Sequence, residues 1–275
     1  MSESFGDGFY DLDDKTAIVT GGAGSTGTAV SVELARHGAN IIIAQRSEER
    51  PNRVVERIRE LGGRAAYVPT DLADDRDIVS VVEAATDEFG GVEIVVNNAV
   101  HTGKDWAKSM SRDLWESILS VSLTGPFRLA QEAYPTMVKS GYGRVVNMGA
   151  IQHFAPIAGS VAYAAAKAGL EGFTRSLAVE WGGADADITA NTIHVGPVPG
   201  GDWDDRPVEV ANDDVDPSAD EGALTLVGRK GRPSDIANAA AFLASPRASF
   251  ITGESIRVDG GRLISRKPAD QSHMD

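Results

Sequence analysis

Ala17-Ile18-Val19-Thr20 runs straight into Gly21-Gly22-Ala23-Gly24-Ser25-Thr26-Gly27, and a segment with apolar Val30 and Leu34 and basic His37 follows. A short β-branched run, a glycine-rich turn and a helical pattern in that order read as strand, turn and helix. Glycines let such a turn bend tightly, and they let its backbone approach an anion. The N–H groups and dipole of the following helix then attract a pyrophosphate. Gly21, Ala23, Ser25, Thr26 and Gly27 are the candidate phosphate contacts, although a glycine-rich turn by itself also serves as a tight connection.

Working outward, similar runs recur at Ile41–Ala44, Ala66–Pro69, Val92–Val96, Val145–Met148 and Ile188–His194, separated by helical lengths. Near-continuous apolar strands alternating with helices predict a parallel sheet covered on both faces, with right-handed crossovers. The fold class is α/β: a single-domain, Rossmann-like, doubly wound sheet of about seven strands, over residues 1–264. Long helices are expected over Ser111–Lys139 and Ser160–Trp181. Residues 196–231 are rich in Gly, Pro and Asp with little periodicity, which predicts a substrate lid; residues 265–275 read as a polar, frayed tail.

Net charge −14 over 275 residues argues against nucleic acid and anionic membranes as partners. Small-molecule partners are favoured. The acidic excess is spread along the chain, and the basic residues are 19 Arg and 7 Lys. Such an acidic surface suits a high-salt, halophilic cytoplasm, where ions screen carboxylate repulsion, and it also suits an ordinary acidic bacterial protein. There is no membrane-length apolar run and no basic-then-apolar leader pattern, so a soluble cytoplasmic protein is expected. Cysteine is absent and the five histidines lack ligand spacing, so no metal site is expected.

Two further stretches carry chemistry. Tyr163 and Lys167 stand one helical turn apart, so an ammonium near the phenol would favour phenolate and make proton transfer accessible near neutrality. The second strand ends in Ala44-Gln45-Arg46-Ser47. An acidic residue there would accept bonds from a ribose 2′-hydroxyl and repel a 2′-phosphate, whereas Arg46 and Ser47 suit the phosphate. This favours NADP(H) over NAD(H), which stays the alternative.

These landmarks together resemble the short-chain dehydrogenase/reductase family from about Asp13 to Arg262. The glycine turn is followed in order by Asp71-Leu72, Asn97-Asn98-Ala99, Tyr163 with Lys167, Gly196 after the sixth strand and Val258-Asp259-Gly260-Gly261. The resemblance implies that Asp71 and Leu72 meet adenine. It also implies that Asn98, Ala99, Gly196 and Val198 border the cofactor, and that Lys167 reaches the nicotinamide ribose. Tyr163 would exchange a proton with a substrate oxygen while the nicotinamide exchanges a hydride. A homotetramer pairing the two long helices and the last strand is implied as well.

The chain departs from the family pattern where a serine is usual, thirteen residues before Tyr163, and has Ala150 there. Loss of one donor to a developing oxyanion costs about 3–4 kcal/mol. Ser122 stands where relatives carry an asparagine in a water relay, and Val100, Ser25 and Val195 replace other usual residues. Gln152, His153 and Ser160 are candidates to supply the missing donor, Gln152 and His153 ahead of Ser160. Trp203 is a candidate cover for an apolar substrate group. The leading reading is an NADP(H)-dependent oxidoreductase of small ketones, keto acids, sugar derivatives or hydroxy compounds. An enoyl- or dienoyl-thioester reductase and a catalytically impaired dinucleotide binder are the alternatives.

Overall fold

A computed structural model describes residues 9–183, 186–198 and 225–265 of the chain. The strands are β1 (Thr16–Thr20), β2 (Asn40–Gln45), β3 (Ala65–Pro69), β4 (Ile94–Asn97), β5 (Tyr142–Ala150), β6 (Asp187–Val195) and β7 (Ser255–Val258). They pair in parallel in the order β3-β2-β1-β4-β5-β6-β7. This is the doubly wound, Rossmann-like sheet expected from the repeated β-α pattern. Most of the predicted 196–231 lid, with Trp203, and all but Ser265 of the 265–275 tail lie outside the described residues.

The helices are α1 (Ser25–Arg36), α2 (Glu49–Glu60), α3 (Asp75–Phe89), α4 (Arg112–Leu119), α5 (Gly125–Ser140), α6 (Val161–Trp181) and α7 (Pro233–Ala244). Alternation along β1 shows why its sequence is an unbroken apolar run. Ala17 and Val19 enter the layer formed with α1, α2 and α7, while Ile18 enters the opposite layer with α3, α5 and α6. A strand covered on both faces has no solvent side, so period-2 polarity disappears. No helix among the described residues is long and apolar enough to cross a membrane.

Local chemistry sets the ends of these elements. The Asp74 carboxylate accepts the Arg76 N–H at 2.9 Å to cap α3, and Gly90 ends it at φ 96°, a left-handed conformation that favours glycine. The single helix read over Ser111–Lys139 is instead α4, a π turn over Ser120–Thr124, and α5. The π turn delivers Gly125 against the Leu72 backbone, where a Cβ would come within 2.7 Å of the carbonyl oxygen.

Polar side chains cross the core as a connected chain. Asn97 Nδ2 donates to Asn147 Oδ1 at 2.8 Å, Asn147 Nδ2 donates to Thr174 Oγ1 at 2.8 Å, and Thr174 Oγ1 lies 2.8 Å from Thr192 Oγ1. β4, β5, α6 and β6 are thereby held in one register behind the site. Asn147→Ala removes the middle link and leaves buried Asn97 and Thr174 groups without their partner. It is expected to lower unfolding free energy by about 2–3 kcal/mol, read from the urea midpoint at unchanged m-value.

Candidate active site

A cavity of about 590 Å³ opens where β1, β2, β3 and β4 end. The sheet order reverses between β1 and β4, the place where doubly wound sheets bind nucleotides. Gly21, Gly24, Ser25, Thr26 and Gly27 form one wall, whereas Ala23 is not part of the lining. Gly21 adopts φ 61°, and a Cβ on Gly27 would overlap the Gly21 carbonyl. Only glycine permits this turn, and the first N–H groups of α1 have no intrahelical carbonyl to bond. The cradle fits a dinucleotide pyrophosphate.

The other walls carry further residues expected from sequence. Asp71, Leu72, Asn98 and Ala99 line the cavity. Thr20 Oγ1 accepts the N–H of Asn98 and of Ala99, each at 2.9 Å, and donates to the Val96 carbonyl at 3.3 Å. Asn98 Nδ2 returns bonds to the Thr20 and Gly21 carbonyls at 3.0 and 3.2 Å. Gln45 Oε1 accepts the Ala23 N–H at 3.2 Å, and its Nε2 donates to Ser47 Oγ at 3.0 Å. Ser47 is thus tied to Gln45 and does not line the cavity. Arg46 does, and so does Arg50, which sequence reasoning missed; the signal was its position one turn beyond Arg46.

Tyr163 and Lys167 share one face of the first turns of α6. Burial pushes the Tyr163 phenol up to about 12 and the Lys167 ammonium down to about 8, each toward its neutral form. Lys167 Nζ lies 5.7 Å from the Tyr163 ring centre and donates to the Met148 carbonyl at 2.5 Å. Among the described residues, two of its three donor positions stay available beside the phenol. Ser122 is buried in the π turn; its hydroxyl accepts the His101 N–H at 3.2 Å and donates to the His101 carbonyl at 3.4 Å. It secures the chain that follows Asn98, Ala99 and Val100 rather than bonding Lys167.

Ala150 ends β5 and is buried. Of the three candidate replacements for its missing donor, two are committed elsewhere. His153 Nδ1 donates to the Ala150 carbonyl at 2.9 Å and its Nε2 lies 2.9 Å from Glu171 Oε2, so both ring nitrogens face protein groups. Ser160 Oγ donates to the Ile157 carbonyl at 2.6 Å. Gln152 is half-buried and makes no hydrogen bond among the described residues. Gly196 and Val198 follow β6 outside the 590 Å³ cavity, and Gly196 packs against Asp259 so closely that a Cβ would overlap it.

The absence of ligand spacing in sequence did not exclude a cation-type cluster. His153, Glu171 and His194 converge with ligand atoms all within 4.8 Å of one another.

The profile of the family described as enoyl-(acyl carrier protein) reductase matches residues 21–262. The chain belongs to the short-chain dehydrogenase/reductase family. It is an NAD(P)-dependent oxidoreductase of that family. It is 36% identical to a 3-oxoacyl-[acyl-carrier-protein] reductase of Vibrio cholerae over 92% of this chain and 99% of that one. It is 34% identical to a 2,5-dichloro-2,5-cyclohexadiene-1,4-diol dehydrogenase of Sphingobium indicum over 91% and 96% of the two chains. A solved structure from Sinorhizobium meliloti 1021, provisionally a short-chain alcohol dehydrogenase, superimposes with TM-score 0.82 at 32% identity, covering 93% of this chain and 99% of its own. As in any short-chain dehydrogenase/reductase, the glycine turn must stay open to the cofactor. Gly27→Ala is expected to weaken dinucleotide binding by about a hundredfold, measured by titration calorimetry, because the turn must shift to seat a methyl group.

Proposed function

We propose that this enzyme transfers hydride between NADP(H) and a small carbonyl or alcohol substrate: a ketone, keto acid, sugar derivative or hydroxy compound. The observation that supports it most is the pairing on one face of α6 of half-buried Tyr163 with buried Lys167, whose Nζ lies 5.7 Å from the phenol ring centre, in a chain that also carries the dinucleotide cradle. The nicotinamide, when bound, supplies or accepts the hydride. Tyr163 Oη holds the substrate oxygen and moves the proton to or from it. Burial raises the Tyr163 pKa and so keeps the phenol protonated near neutrality, ready to donate to the substrate oxygen. Gln152 supplies the second hydrogen bond to that oxygen, in place of the hydroxyl Ala150 lacks. Ser122 keeps the Val100–His101 chain in position.

The preference for NADP(H) rests on Arg46 and Arg50 at the cavity rim and on Gln45, an amide, where an acid would repel a 2′-phosphate. NAD(H) fits the same cradle without that charge pairing. Arg46→Ala is expected to raise the KM for NADPH about tenfold while changing that for NADH less than about twofold. A homo-oligomer, by family likeness a tetramer, accords with exposed Phe127 on α5 and exposed Val161 and Val179 on α6. Trp203, within the 196–231 segment proposed as the substrate lid, would cover an apolar group of the substrate.

A second reading has its own support: the matched family profile carries an enoyl description, and Ala150 removes a hydroxyl that carbonyl chemistry uses. Oxidation of NADPH with ketones but not with enoyl thioesters is the outcome that favours the first reading. Tight NADPH binding without turnover on either panel would point to a dinucleotide-binding protein that has lost catalysis. On the active substrate class, Tyr163→Phe is expected to lower kcat/KM by about a thousandfold with NADPH affinity unchanged. Gln152→Ala should lower kcat by about ten- to a hundredfold, and unchanged kcat would remove Gln152 from the proposed role.

A further inference from the structure

Behind the end of β5, three side chains from three elements converge on one point. His153 comes from the 3-10 turn Ile151–His153, Glu171 from α6 and His194 from β6. His153 Nε2 lies 2.9 Å and His194 Nε2 3.9 Å from the same carboxylate oxygen, Glu171 Oε2. The two imidazole rings are 4.5 Å apart. We propose that His153, Glu171 and His194 form a zinc site with a fourth position open to water.

Two observations beyond the convergence point to a ligand. The side chain of His194 is fully buried, yet among the described residues neither ring nitrogen has a hydrogen-bond partner, a condition buried polar groups in native proteins rarely meet. Space for that ring is built in: Gly149, paired with His194 across β5 and β6, lies where any Cβ would overlap His194 Nδ1. The outer partners also suit coordination. The Ala150 carbonyl holds His153 Nδ1–H at 2.9 Å, which turns the lone pair of Nε2 toward the carboxylate. Arg175 donates to Glu171 Oε1 at 2.8 Å, leaving Oε2 to the cluster. The half-exposed Phe154 packs on both imidazoles and shields the ligands.

Donor chemistry selects the ion. Two neutral imidazoles and one carboxylate are the ligand set of open zinc sites, whereas calcium and magnesium favour oxygen throughout. Zinc–ligand bonds of about 2.0–2.1 Å put tetrahedral ligand atoms roughly 3.3 Å apart. The existing separations bracket that value, so small ring shifts complete the geometry. Glu171 lies two turns beyond Tyr163 on α6, a rise of about 12 Å. The ion therefore does not meet the substrate oxygen; it ties the end of β5 to α6, one turn beyond Lys167.

The test uses the full-length protein, stripped with chelator and dialysed, then titrated with Zn²⁺ by calorimetry and counted by elemental analysis. One zinc per chain is expected, raising Tm by roughly 5 °C at about a hundred times its Kd. Glu171→Gln and His153→Gln should each weaken uptake by about a hundredfold or more. His37→Gln should leave uptake unchanged, because the His37–Glu33 pair offers only two ligands. Cobalt added to the unaltered protein should give the intense visible bands of a tetrahedral site, a readout that does not depend on any variant folding. Absent saturable zinc uptake, uptake that persists in both ligand variants, or a weak octahedral cobalt spectrum would each overturn the assignment.

Discussion

One threonine hydroxyl holds the cleft in shape. β1 and β4 are neighbours whose following chains leave in opposite directions, so the sheet has a gap at their ends that no strand pairing closes. Thr20 Oγ1 spans it, accepting two N–H groups from the chain after β4 and donating to the Val96 carbonyl, while Asn98 returns two bonds to the glycine turn. The glycine turn and the chain after β4 are thus tied into one body. The polar chain from Asn97 through Asn147 and Thr174 to Thr192 extends that rigidity to β6 and α6.

Burial shifts the pKa values of Tyr163 and Lys167 in opposite directions. It disfavours phenolate at Tyr163 and ammonium at Lys167, moving each toward its neutral form. The Met148 carbonyl keeps Lys167 placed without neutralising it, since a carbonyl carries no formal charge. Around Ala150 the wall is apolar at the side chain and polar only at its carbonyl, which His153 occupies. Gln152 is the remaining polar side chain from the adjoining turn that is not already bonded.

The sheet was legible because burial on both faces leaves unbroken apolar runs such as Ile41–Ile42–Ile43, and the glycine turn because its geometry admits no side chain at Gly27. Other features lay beyond linear reading. The π turn depends on contact between Gly125 and Leu72, which lie 53 residues apart, and no local propensity encodes it. His153, Glu171 and His194 are spaced by 18 and 23 residues on a turn, a helix and a strand, and the β5–β6 register together with the packing of α6 on β6 brings them together. Gln45 was read for what it does not do to a ribose; its bonds to Ala23 and Ser47 appear only once β2 is docked beside the glycine turn.

The π turn over Ser120–Thr124 also separates two kinds of change. Before it, α4 packs Leu114 close to Gly103 in the loop bordering the site; after it, α5 commits Leu129, Ala130, Ala133 and Met137 to the core. In an uninterrupted α-helix each residue fixes the azimuth of all the others, so refitting one end rotates the opposite end out of its packing. A widened turn breaks that coupling. The outer segment can be re-tuned for a different substrate while the inner one keeps its contacts, so the helix works as two independently variable modules on a shared axis.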